Sequence, residues 1–520
     1  MGLQFQVFVQ ITVLLVSNIF LSVSSEEATT FIGNVHNRIA SPITKESCEA
    51  SPVECYQDPE CNLDPQLVSE IASYKGVADR IISEVLQGPF KGRAYSDLEH
   101  FVDTFGPRFS GTPTLERAID FMLDRMKALS LENVHAENVS IPQWVRGFED
   151  ADMLLPRKKK LNILGLGSSV GTPMGGLEAD ILVVKNFTEL QQRAAEAYGK
   201  IVVYNAEFVD YLTTSEFRKR GAAEAAKVGA VASLTRSVGP LSLDTPHTGG
   251  TSYLEDVKKI PAACITIEDA ELFQRFQNKE EGSLHLGETV RIRLVMNDYT
   301  LDPVISRNAI GDITGREVHP EKVLISAHID SWDVGQGAMD DGGGVIITMA
   351  AVELLKSLNL RPRRTLSTVL WTGEEVGLVG AEAYLNEHRQ ELGNISVLLE
   401  SDAATFRPLG LGFAGSQDAG CVIQEVSKLL APLNASSYQT FEKISSDVDV
   451  FIPHGVPAIS LRTDLTRRYW YHHTHADTLT VEDPEELDLC LATWAVTAYI
   501  LSDISIALPR GASNNPYLIN

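Results

Sequence analysis

Basic residues are in short supply in this chain. Its 520 residues carry 44 Lys and Arg against 69 Asp and Glu, a formal net charge of −25. Phosphate backbones need basic patches, so nucleic acid is not an expected partner. Cysteine is scarce as well, with six in all. Cys48, Cys55 and Cys61 cluster near the start, and a trio leaves at least one without a local partner. Cys264, Cys421 and Cys490 are scattered in apolar contexts and read as buried core residues. No spacing among the six is that of a zinc knuckle or a redox motif. Long apolar runs are missing except for one, from about 7 to 23, followed by Ser-Ser-Glu-Glu. It ends in small residues suited to signal peptidase. Gln10 and Asn18 interrupt it as a bilayer span, so no stable membrane anchor is expected. The expected destination is secretion, or the lumen of the ER, Golgi or lysosome.

The remainder is ordinary soluble protein, 44% hydrophobic and 22% charged, and long enough for two or three domains. Four glycosylation sequons, at Asn138, Asn186, Asn394 and Asn434, agree with a secretory route. Residues 1–25 read as a signal peptide. Residues 26–75 are polar and weakly patterned, and read as a removable pro-segment. Residues 76–150 hold two amphipathic helices, 77–86 and 115–129. Residues 151–300 hold short β-rich runs densely punctuated by Gly and Pro, which suggests an inserted domain with a small core of its own.

From 301 to 520 the pattern is strand, loop, helix, repeated. Expected strands are 322–327, 364–371, 397–400 and 455–460. Expected helices are 344–358, 378–390 and 485–507. Continuous apolar strands alternating with helices predict an α/β fold with a mostly parallel central sheet flanked by helices. Active sites of such sheets lie at the carboxyl ends of strands.

Chemically useful residues fall at those ends. His328 and Asp330 are two apart and share a side of an extended segment. Asp330 could hold the second nitrogen of a metal-bound imidazole. Asp340 follows a Gly-rich loop and precedes a helix, where it could bridge two cations or simply cap the helix. Glu374 and Glu375 end an apolar strand; one could bind metal while the other serves bound water as a base, or both could open a helix. Asp402 follows another strand, and His472, His473 and His475 crowd a four-residue stretch. Imidazoles with carboxylates suit Zn²⁺ best. Taken together, and not singly, these residues point to a two-metal hydrolase.

The same residues, with Gly106-Pro107-Arg108, 164–171, 331–344, Glu400-Ser401-Asp402-Ala403 and 472–477, make the chain resemble the co-catalytic dizinc aminopeptidase-type metallopeptidases. The resemblance covers nearly everything after the targeting segment. It implies that His328, Asp340 and Asp402 hold one Zn²⁺, and that Asp340, Glu375 and His473 hold the other. Glu374 is then the general base and Asp330 the support of His328. It further implies a cis Asp340–Asp341 peptide bond, a protease-associated domain at 151–300, a homodimer, and loss of Cys48, Cys55 and Cys61 with the pro-segment. The expected substrates are small peptides, above all dipeptides with both ends free. Three alternatives share the scaffold: an aminopeptidase for longer peptides, a single-zinc glutaminyl cyclase, and a receptor-like homologue without catalysis.

Overall fold

The computed structural model describes residues 61–278 and 287–510. The signal segment, Cys48 and Cys55 lie outside the described residues.

Two eight-stranded sheets organise the chain. The first runs in the order Glu132–Val145, Tyr299–Ile313, Arg364–Trp371, Val318–His328, Ile395–Glu400, Ala458–Thr463, Pro408–Ala414, Ser437–Thr440. Its four middle strands, from Arg364–Trp371 to Ala458–Thr463, are parallel to one another. Antiparallel neighbours flank them on both sides. The sheet is therefore mixed, where the sequence suggested a mostly parallel one. Strands Arg364–Trp371 and Ile395–Glu400 are buried at every position, their polar side chains included.

Helices Gly343–Ser357 and Pro484–Asp503 pack in the main core. Helix Pro484–Asp503 is buried around most of its circumference, which its lack of a polar stripe foretells. Asp483 starts it by accepting the N–H groups of Glu485 and Glu486, with Pro484 in the first turn. Thr112 and Pro113 start helix Pro113–Ala128 in the same way.

The segment 26–75 needs a correction. Helix Pro65–Ser73 sinks Leu67 and Ile71 into the main core. Cys61 is bonded to Cys421, 360 positions away. Residues 61–75 therefore belong to the folded body. Cys421 is a cross-link, whereas Cys264 and Cys490 are free and buried as expected.

Every strand of the second sheet lies between Glu149 and Met296. The chain enters and leaves through one long antiparallel ribbon, in which Val145 pairs with Tyr299. The segment also carries helices. Helix Tyr211–Lys227 packs Ala222 and Ala225 in one apolar cluster. Helix Ile267–Gln277 packs Phe273 and Phe276 in another. Among the described residues no helix is long and apolar enough to cross a membrane.

Candidate metal centre

Loops at the carboxyl ends of the parallel strands converge on one point. His328 ends its strand. Glu374 and Glu375 follow Trp371 through Gly373, whose φ of +72° suits glycine. Asp402 lies two residues beyond strand Ile395–Glu400. Asp340 stands just before helix Gly343–Ser357, and the Asp340–Asp341 peptide is cis. The loop leaves no room for side chains at its glycines. A Cβ on Gly344 would meet Asp341 Oδ1 and Ser401 O, each at 2.2 Å.

Asp340 is the centre of the arrangement. Its Oδ1 is 3.2 Å from His328 Nε2, which in turn is 3.5 Å from Asp402 Oδ1. Its Oδ2 is 3.2 Å from His473 Nε2, which is 3.2 Å from Glu375 Oε2. One carboxylate thus faces two donor sets with its two oxygens. Two donors each about 2.1 Å from a shared tetrahedral ion stand about 3.4 Å apart, so both sets have the spacing of a zinc site. His328 Nε2 and Asp340 Oδ2 are buried without a hydrogen bond, as atoms reserved for an ion are.

The imidazoles are aimed from behind. His328 Nδ1 is 3.1 Å from the Asp330 main-chain carbonyl, and His473 Nδ1 is 3.3 Å from that of Thr248. A carbonyl only accepts, so His328 Nδ1 carries the proton and its Nε2 keeps its lone pair for a metal; His473 Nδ1 lies between that carbonyl and the Arg218 guanidinium, 3.5 Å away. His472 also approaches Asp340 Oδ2, at 3.3 Å, with its ring stacked on His473. Its Nδ1 has no partner. His473 alone joins Asp340 to Glu375, which favours it over its neighbour as the ligand-type residue.

Asp330 does something other than expected. Its carboxylate is 3.9 Å from His328 Nδ1. It accepts instead from Ser110 Oγ at 3.0 Å, from the Glu374 N–H at 3.1 Å and from the Glu375 N–H at 3.3 Å. Its main chain aims His328, while its side chain shapes the turn that presents both glutamates. The helix-capping role open to Asp340 belongs to Asp341, which accepts the N–H groups of Gly344 and His328.

Charge is concentrated here. Burial, with Asp402, Glu375 and Asp330 nearby, holds the Glu374 carboxyl well above the usual range, against the pull of His328. Burial and Asp340 push Glu375 up too. Burial works against protonation of His473, but Glu375 and Asp340 outweigh it and lift the imidazole to about 9. So many buried acids around two imidazoles form a site that favours dications.

Two further contributors lie in stretches that carry the resemblance, without a role assigned from sequence. Asp477 accepts the N–H groups of Met339 at 2.7 Å and Asp340 at 3.2 Å, fixing the bridging residue. Burial beside Asp340 raises its carboxyl to about 7. Arg108 is wholly buried, yet its side chain donates to the carbonyls of Gly106, Ile329, Gln336 and Gly337 and so ties three loops together. Burial lowers the guanidinium to about 10, still charged at neutrality. Arg108→Met should cost about 3 kcal/mol of stability, because those carbonyls lose their donors. Urea titration of both proteins measures it; a loss under about 1 kcal/mol would mean water replaces the guanidinium freely.

A cavity of about 510 Å³ opens over Asp340, Glu374, Glu375, Asp402 and His473. Its far wall comes from the second-sheet segment, with Tyr211, Arg218 and Ser252.

Comparison with known proteins places this geometry. Residues 308–498 match the model of peptidase family M28. Carboxypeptidase Q of Mus musculus is 47% identical over 445 residues, 86% of this chain and 93% of that protein. Carboxypeptidase Q of Homo sapiens is also 47% identical over the same shares. The crystal structure of a peptidase M28 precursor from Shewanella amazonensis SB2B superposes with a TM-score of 0.79 at 32% identity, covering 84% of this chain and 99% of that one. The structure of BSAP, a zinc aminopeptidase from Bacillus subtilis, shares the fold with a TM-score of 0.61 at 20% identity, covering 81% and 99%.

Proposed function

The chain belongs to peptidase family M28, and from that premise we propose that it is a dizinc enzyme cleaving dipeptides whose amino and carboxyl ends are both free. The observation that carries this reading is Asp340, whose two oxygens face His328 and Asp402 on one side and Glu375 and His473 on the other. Those five residues are the ligands in this reading, with Asp340 shared. When bound there, the zinc pair supplies Lewis acidity that polarises a peptide carbonyl and acidifies water.

The chain's own groups do the rest. Glu374 lines the cavity and takes the proton of the attacking water. Water oxygen bonds to the carbonyl carbon, the C–N bond breaks, and Glu374 returns the proton to the departing amine. Asp330 holds both glutamate N–H groups and so keeps Glu374 aimed. Thr248 brings the second-sheet segment, read here as a protease-associated domain, into the centre through His473. The Cys61–Cys421 bridge supports an enzyme of the secretory route, which we read as secreted or lysosomal, glycosylated, and homodimeric after loss of its leading segment.

Zinc-loaded protein offered a dipeptide, its C-terminal amide and a matching tetrapeptide tests the substrate class. The free dipeptide should be preferred by at least about tenfold in kcat/KM, about 1.4 kcal/mol. Equal cleavage of all three would make the enzyme a general aminopeptidase.

A further inference from the structure

One guanidinium beside the centre makes a single loose ion pair. Arg468 opens the short helix Arg468–Tyr471 that leads into His472 and His473. Its side chain is 16% exposed, and Nη2 is 3.5 Å from Asp402 Oδ1. Its Nε is buried without a hydrogen bond. Arg218, the other buried guanidinium of the cavity, also leaves its Nε without a hydrogen bond, but its Nη groups donate to Thr248 O at 2.5 Å and Tyr211 Oη at 2.7 Å. A buried guanidinium that donates this little is costly until an anion arrives. Its planar fork fits a carboxylate on two parallel N–H groups.

Position narrows the choice of anion. The Asp402 oxygen that Arg468 approaches is itself 3.5 Å from His328 Nε2, so Arg468 lies one group away from the donor sets. In a dipeptide a single residue, about 3.8 Å from Cα to Cα, follows the scissile carbonyl before the chain ends in its carboxylate. Arg468 also lines both the cavity over Glu374 and a second chamber of about 570 Å³ on its other side. That chamber is walled by Leu212, Phe441, Ile444, Leu461, Leu465 and Tyr469. Lys443 lines the same two spaces, but it is exposed and its charge is screened.

We propose that Arg468 binds the free carboxylate of the substrate, and that the chamber beyond it receives the apolar side chain of the residue that leaves. The assignment rests on the free-carboxylate reading above and names the group that would enforce it. A general aminopeptidase has no use for a cation at this distance; a dipeptidase needs one.

The test uses zinc-loaded protein freed of its leading segment and two probes, Ala-Phe and its C-terminal amide. Binding is followed calorimetrically in a Glu374→Ala background, and kcat/KM with Glu374 intact; zinc content is measured throughout. Arg468→Gln should weaken Ala-Phe about 100-fold and bring the ratio of free peptide to amide close to one. Arg468→Lys should restore part of that ratio, and Lys443→Gln should change it less than about threefold. If Arg468→Gln retains the discrimination of the native enzyme, Arg468 is not the carboxylate group, although the dipeptidase reading stands. If both probes weaken together as zinc is lost, Arg468 serves Asp402 and the assignment falls. If the native enzyme treats the two probes alike, the free-carboxylate reading fails and takes this assignment with it.

Discussion

Replacing Glu374 by alanine is expected to lower kcat about a thousandfold while zinc content stays at two per chain. The reasoning separates two roles that geometry alone leaves close together. Glu374 stands with His328 and Glu375 in a group near enough to share an ion. Yet Glu375 is the glutamate that reaches His473, at 3.2 Å, and it completes the second donor set with Asp340. Glu374 is left over, buried among acids that raise its affinity for a proton. That is the environment of a group that moves protons rather than one that holds a cation. Because the proton transfer belongs to the transition state, KM should shift by less than about threefold while kcat falls. Glu374→Gln keeps the volume and should be as inactive as the alanine variant. Metal analysis beside steady-state kinetics decides the matter. A fall to one zinc per chain would move Glu374 into the ligand set, and a kcat loss under about tenfold would remove it from proton transfer.

The chemistry of this site was largely visible in sequence because its side chains follow apolar strands. His328, Glu374, Glu375 and Asp402 each lie at or just beyond the end of a buried strand, and the loops bring all four beside Asp340. What stayed hidden works through the main chain or across long separations. Thr248 acts through a carbonyl, and any residue type carries one. The Asp330 carboxylate reaches two N–H groups 44 and 45 positions away, which His-x-Asp spacing does not reveal. Arg108 stood in the sequence only as part of a matching Gly-Pro-Arg stretch, and its burial among four carbonyls shows its function. Cys61 and Cys421 share no local pattern across 360 positions. The sheet was misjudged for a related reason. Parallel strands in the middle have distinctive apolar runs, whereas the ribbon Glu132–Val145 with Tyr299–Ile313 is half solvated and alternates weakly.

Asp340→Ala should be the most damaging single change at the centre, because it takes one donor from each ion at once. His328 and Asp402 remain on one side, and Glu375 and His473 on the other, two protein donors each where catalytic zinc sites keep three. Zinc content should fall below one per chain and kcat/KM by more than about 10⁴-fold. Stability gives a readout independent of turnover. A ligand that binds only the folded state stabilises it by about 2.7 kcal/mol at 100 times its Kd. Zinc should therefore raise the Tm of the native protein and leave that of Asp340→Ala nearly where it was. Asp477→Asn supplies the graded comparison. Its amide oxygen can accept one of the two N–H groups that now hold Met339 and Asp340, so the loop should loosen without losing a donor. Zinc affinity should then fall about 10- to 100-fold, the scale of a lost outer-shell partner. If Asp340→Ala still binds two zinc ions, its carboxylate does not bridge, and the two donor sets around it do not describe the metal site.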